Sequence, residues 1–232
     1  MDKIFNRKNI SAFVFITLLL SVAFIIIKII FAPSSVNLLD ETVRIKSDYT
    51  LMLIQCILGL VAMFLPALLS KNLKIEIPNN MIILYVVFLY AAIFLGEVRN
   101  FYYDIPHWDT ILHGFSGAMI GALGFSVISL LNKSKSVKLS PLFVALFSFC
   151  FAITLGVAWE IYEYSFDIIL GLNMQKFATY DGTILIGQAA LGDTMKDLIV
   201  DCLGAGVMSV IGYISLKYKK HWIENLLIKK VK

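Results

Sequence analysis

Charge is scarce in this sequence: Asp, Glu, Lys and Arg make up 16% of its 232 residues, against 59% hydrophobic residues. A soluble globule of this length needs more polar surface than that, so an integral membrane protein is expected. Cysteine is scarce too, and the three present, Cys56, Cys150 and Cys202, lie inside apolar runs, which argues against a disulfide framework. With no Ser/Gly/Pro-rich linker and no internal repeat, residues 1–232 read as a single integral membrane domain. A Gly-rich phosphate loop, G-x-S-x-G, H-E-x-x-H and paired C-x-x-C are all missing, so the chemistry they serve is not indicated.

Long apolar runs are plentiful. A helix needs about 20 apolar residues to cross the hydrocarbon core, and six segments qualify: 10–31, 50–69, 80–97, 110–131, 142–165 and 194–216. The fold class expected is all-α, a polytopic membrane helical bundle with six transmembrane helices. The first run is too long for a signal-peptide core, and the "FAPSS" after it is a poor cleavage site, so it reads as a retained signal anchor. Pro66 is expected to kink the second span, and Pro141 suits the first turn of the fifth.

Basic residues crowd alternate connections: Lys3, Arg7 and Lys8; Lys71 and Lys74; Lys133, Lys135 and Lys138; and six lysines from Lys217 to Lys232. These segments are expected to face the cytoplasm, which puts both termini inside. Arg44 and Lys46 run against the trend. Of the sixteen acidic residues only Asp2, Glu76 and Glu224 then fall on the inner side. Anionic membrane lipids account for the basic face without nucleic acid. The tail, 217–232, reads as a cytoplasmic amphipathic helix with Trp222 at the headgroups.

The acidic side gathers its residues on three spans. Asp109 and His113, four apart, share one helix face, which Gly117, Gly121 and Gly124 continue as small residues suited to close helix approach. Glu160, Glu163 and Asp167 form a second stripe, and Asp193, Asp197 and Asp201 a third. Some have plain explanations: Asp109 and Asp193 suit helix caps, His107 a loop, and Asp104 and Asp167 a solvated edge. Glu160, Glu163, Asp197 and Asp201 lie beyond any cap, and ionisable groups in membrane helices default to functional readings. So many carboxylates at one level need an offset, either bound cations or protons. Carboxylates with imidazole favour Zn, Mn or Fe over Ca. Arg99 offers one local counter-charge, to Glu97.

These segments resemble the YjdF-type family of bacterial inner-membrane proteins. The likeness rests on D-x3-H-x3-G at Asp109, His113 and Gly117, on E-x2-E at Glu160 and Glu163, and on D-T-x2-D at Asp193, Thr194 and Asp197 before Gly204 and Ala205. "RNFYYD", Arg99 to Asp104, is similar to an Arg-Asn-x-Tyr-Asp run there, with different spacing. "WDTILHGFSG" also resembles the start of VanZ-like envelope proteins. The likeness implies a bacterial inner-membrane location and a shared site without stating its activity; Asp201 and His107 are outside the shared pattern.

The reading that follows is a divalent-metal site opening to the outer face, with Asp109, His113, Glu160, Glu163 and Asp197 as ligands and Asp201 or Glu163 as catalytic carboxylate. It would serve a metal-dependent membrane hydrolase or transferase acting on a lipid-linked or envelope substrate. A proton or metal-ion transporter and a non-catalytic scaffold are the alternatives. The connection from Gly171 to Gly192 is expected to fold over the site as a lid, with a turn at Asp181 and Gly182. Oligomeric state is not legible.

Overall fold

The computed structural model describes residues 6–34, 44–131, 139–179 and 182–231. Asp2, Lys3, Lys133, Lys135, Lys138 and Lys232, counted for orientation, and Asp181 of the expected turn lie outside them.

Among the described residues, six helices are long and apolar enough to span a membrane: Arg7–Phe31, Lys46–Leu73, Asn79–Val98, Trp108–Leu131, Pro141–Leu170 and Gln188–Lys217. Helix α1 (Arg7–Phe31) is capped by Asn6, whose side chain accepts from the Asn9 N–H at 2.9 Å. The second span is broken into α2 (Lys46–Ala62) and α3 (Leu65–Leu73), with Pro66 in the first turn of α3. Pro66 has no N–H for the Ala62 carbonyl four residues back, and the Tyr85 hydroxyl donates to that oxygen instead, at 3.0 Å. The strand β1 (Ile75–Glu76) leads into α4 (Asn79–Leu89), which runs on as a π-helical segment, Tyr90–Val98. The short α5 (Phe101–Asp104) then precedes α6 (Trp108–Leu131). Ser140 caps α7 (Pro141–Leu170), with Pro141 in its first turn, and α8 (Gln188–Lys217) completes the spans.

Two apolar cores divide the bundle. Val14, Leu18, Met52, Cys56 and Val86 join α1, α2 and α4. Phe125, Ile128, Val144, Ala145 and Met208 join α6, α7 and α8. The halves meet where α4 lies against α6, and there the Phe88 and Phe115 rings stack at 6.1 Å. Around this framework Leu20, Ile30, Leu142 and Leu203 are well exposed, as lipid-facing side chains are.

The small residues do what their spacing suggested. A Cβ on Gly117 would stand 2.6 Å from the Asp201 carbonyl oxygen, and one on Gly124 would stand 2.8 Å from the Ser148 Cα. Glycine there lets α6 lie backbone-close to α8 and α7.

The structure corrects three expectations. Helix α8 starts at Gln188 rather than near 194, so Asp193 lies inside the helix and is not its cap. The tail is not an amphipathic helix. A 3₁₀ turn (Glu224–Leu226) and a two-residue strand β2 (Lys229–Lys230) pair it antiparallel to β1. Ile223 and Ile228 are buried, and the Ser126 hydroxyl donates to the Leu226 carbonyl at 3.1 Å while accepting the Ile228 N–H at 3.2 Å. Arg44, not Arg99, serves the end of the third span: it donates to the Glu97 carbonyl at 3.3 Å and to the Asn100 side chain at 2.6 Å. The Glu97 carboxylate takes its own hydrogen bond from Gln55, at 3.2 Å.

Candidate functional site

Where α6 begins, α7 ends and α8 begins, the three polar stripes converge. Their helices are held together by the glycine contacts below, and α6 is fixed at its start by the Trp108 indole, which donates to the Ala91 carbonyl in the π-helical segment at 3.3 Å. His113, buried, stands at the centre. Its Nδ1 donates to Asp201 Oδ2 at 3.4 Å, and the Ser116 hydroxyl donates to the other Asp201 oxygen at 3.3 Å. A carboxylate only accepts, so this contact puts a proton on Nδ1, and the opposite nitrogen, Nε2, carries a lone pair in the neutral imidazole and is a second donor in the imidazolium. Nε2 faces Asp109 Oδ1 and Asp197 Oδ2, each at 3.8 Å.

With the ring neutral, these three atoms are acceptors facing one another; with the ring protonated, Nε2–H stands between two carboxylates as an ion pair. Donor atoms of Asp109, His113 and Asp197 all lie within 4.8 Å of one another. Zinc binds nitrogen and carboxylate oxygen at about 2.0–2.2 Å, so two ligands of one ion stand no more than about 4.4 Å apart. The two 3.8 Å separations fit that limit.

Glu160 and Glu163 are buried beside this trio rather than within it. Both lie within electrostatic reach of His113. The Glu163 carboxylate accepts from the Trp159 indole at 2.9 Å. Among the described residues neither oxygen of Glu160 has a hydrogen-bond partner at close range, nor has Asp197 Oδ1, and the Thr194 hydroxyl stands beside Glu160. Buried carboxylate oxygens without partners are expensive, and they mark the place where a further group fits.

Of two other residues expected at the edge, Asp167 departs from the expectation and His107 does not. Asp167 is not solvated: it is buried and accepts the Met174 and Gln175 N–H groups at 2.8 and 3.0 Å. His107 is exposed, at φ 61°, outside the cluster.

The connection between α7 and α8 does fold over the site, as a strap. Gly171 (φ 64°) ends α7 in the left-handed conformation, and the strap turns back on itself through an isolated bridge between Ala178 and Ile184. Asn173 closes it further, accepting the Ala178 N–H at 3.0 Å and donating to its carbonyl at 2.7 Å. Its Lys176 was not foreseen. The ammonium pairs with Asp109 Oδ2, stands 3.6 Å from Asp193 Oδ2 and lies 5.2 Å from the centre of the Tyr102 ring. Burial pulls its pKa down, but Asp109 and Asp193 outweigh that and hold it above the ordinary lysine value. The sequence offers one signal for it: a lone cation in an otherwise apolar connection beside an acidic cluster.

Comparison with known proteins agrees with a membrane protein and adds no activity. No solved structure matches the chain. A protein of Thermotoga maritima described as an uncharacterized protein is 33% identical over 153 residues, which cover 65% of this chain and 70% of that protein. The profile of DUF2238, described as a predicted membrane protein, matches residues 12–218, which takes in most of the first span, the other five whole and every residue of the cluster, and the chain belongs to that family.

Proposed function

We propose that the protein is a membrane metalloprotein whose divalent cation sits between Asp109, His113 and Asp197. One observation carries the reading: Nε2 of His113 and one oxygen each of Asp109 and Asp197 face one another at distances two ligands of one ion can have, while Asp201 takes the far side of the ring, which leaves Nε2 of the neutral imidazole to ligate. A carboxylate behind a ligating imidazole fixes its orientation and raises its basicity, which is the usual outer shell of a histidine-bound metal. Zn, Mn or Fe suits these donors better than Ca.

The cation would polarise a phosphoryl or acyl oxygen of a lipid-linked or envelope substrate and acidify a bound water. Asp201 stands behind the imidazole, so in this reading it positions His113 and does not take the water's proton. Glu160, with both oxygens unpartnered, is the better-placed base, and Glu163 is held for the supporting role by Trp159. The family match fits the YjdF-type resemblance and lends nothing to the VanZ-like one. We take the cluster to face the cell exterior at a bacterial inner membrane, since the basic residues gather at the other end of the bundle. A transmembrane relay is disfavoured, because α6, α7 and α8 carry no carboxylate, histidine, lysine or arginine between the cluster and the far end, where Lys217 stands.

Metal content and thermal unfolding of the purified protein test this reading. A cation present at about 100 times its Kd stabilises by about 2.7 kcal/mol, and a strong chelator removes that increment. Asp197→Asn and Glu160→Gln are then compared with the parent. Asp197→Asn is expected to lose metal and chelator sensitivity together, whereas Glu160→Gln keeps the metal and loses activity. A metal-free parent, indifferent to chelator and no more stable than Asp197→Asn, leaves the carboxylates sharing protons and ends the metal reading.

A further inference from the structure

We infer that Lys176 is a tethered counter-ion that a divalent cation must displace from Asp109, so that the strap regulates occupancy of the metal site. The inference rests on the proposed metal reading and extends it to how the site is kept when no cation is bound.

Asp109 has two claimants. Its Oδ1 faces His113 Nε2 across the gap a cation would fill, while its Oδ2 is paired with the Lys176 ammonium. A dication in the gap withdraws the negative charge that Lys176 is paired with and repels the ammonium as well. One carboxylate does not serve both at full strength, so the two positive charges compete.

The architecture lets this competition run through one side chain. The backbone on either side of Lys176 is pinned: Asp167 holds the Met174 and Gln175 N–H groups, the Gln175 amide donates to Thr194 Oγ1 at 2.9 Å, and Asn173 is bonded to Ala178 at both its polar atoms. Lys176 itself sits at φ 49°, a conformation that favours glycine, held there by those flanking bonds and directed toward α6 and α8. Only the four-carbon stem is free to swing. Asp193 Oδ2 and the Tyr102 ring lie within reach as resting places that keep the ammonium close without Asp109.

The test uses the full chain in lipid nanodiscs, titrated with Zn²⁺ or Mn²⁺ by calorimetry. Lys176→Gln is expected to bind the cation about tenfold or more tightly than the parent, a coupling of ordinary size for two charges sharing one ligand. Lys176→Arg, which keeps the positive charge, is expected to stay near the parent, and His113→Ala to bind with neither residue at 176. The second readout needs no variant. Acylation of the Lys176 amine, followed by mass spectrometry, is expected to be slow without cation and several-fold faster at saturation. Cation binding by the parent with equal or weaker binding by Lys176→Gln and unchanged acylation overturns the inference and leaves the metal site standing. No binding by the parent or by Lys176→Gln removes the metal site itself, and the inference with it.

Discussion

Glycine at two positions shows how the same substitution takes opposite signs in this bundle. A methyl group on Gly117 would meet the Asp201 carbonyl oxygen at 2.6 Å and its Cα at 3.1 Å, both backbone atoms that cannot turn aside. Gly117→Ala is therefore expected to push α6 from α8 and to destabilise by about 1–3 kcal/mol, loosening the His113–Asp201 contact in the process. Gly192 in α8 has nothing within 4 Å of its Cβ position. There the gain in helix propensity is unopposed, and Gly192→Ala is expected to stabilise by up to about 1 kcal/mol. Thermal unfolding of the two variants beside the parent checks both signs, and equal effects would mean that the close α6–α8 approach does not limit stability. The glycine stripe was legible at this scale because a helix repeats every 3.6 residues, so positions four apart fall on one face. Lys176 was not, because nothing local ties a lysine in a connection to an aspartate 67 positions earlier.

At the scale of elements, Asp167 ties the strap to the end of α7. Asp167, about two turns beyond Glu160 in α7, spends both carboxylate oxygens on backbone N–H groups of Met174 and Gln175. Asp167→Ala leaves the buried Met174 donor without a partner, at about 1–3 kcal/mol, and frees the half-buried Gln175 donor as well. The expected outcome is local: limited proteolysis between Gly171 and Gly187 rises sharply while the helices stay folded by circular dichroism. Proteolysis no faster than in the parent would show that Leu172 and Met174, both buried, hold the strap by packing alone. Sequence spacing placed Asp167 on the right face but suggested a solvated residue, because the polar groups that need it belong to a loop whose path is set by tertiary contacts. The tail fails as an amphipathic helix for a related reason. Strand pairing with Ile75–Glu76 and the Ser126 hydroxyl offer its backbone better partners than an isolated short helix has in water.

For the whole molecule the open quantity is direction across the bilayer. Basic residues gather at the end that holds Arg7, Lys71, Lys74 and Lys217, while the cluster and strap lie at the other. We expect a reporter fused after Lys232 to read cytoplasmic, and an impermeant thiol reagent applied to intact cells to label a cysteine placed at Gly187 but not one at Lys219. The reverse pattern would turn the cluster toward the cytoplasm and remove the envelope substrate from consideration. By itself the sequence determined the six spans, the break at Pro66 and the faces bearing Asp109, His113, Glu160 and Asp197. Hydropathy and helical periodicity are local properties, and a membrane leaves a chain few other ways to satisfy its backbone. Only the tertiary structure decided which of those carboxylates face the same imidazole nitrogen, that Asp201 stands behind the ring, and that a lysine from the strap reaches Asp109. Those are contacts between distant segments, fixed by how closely glycine lets α6 and α8 approach and by the hydrogen bonds that aim the strap.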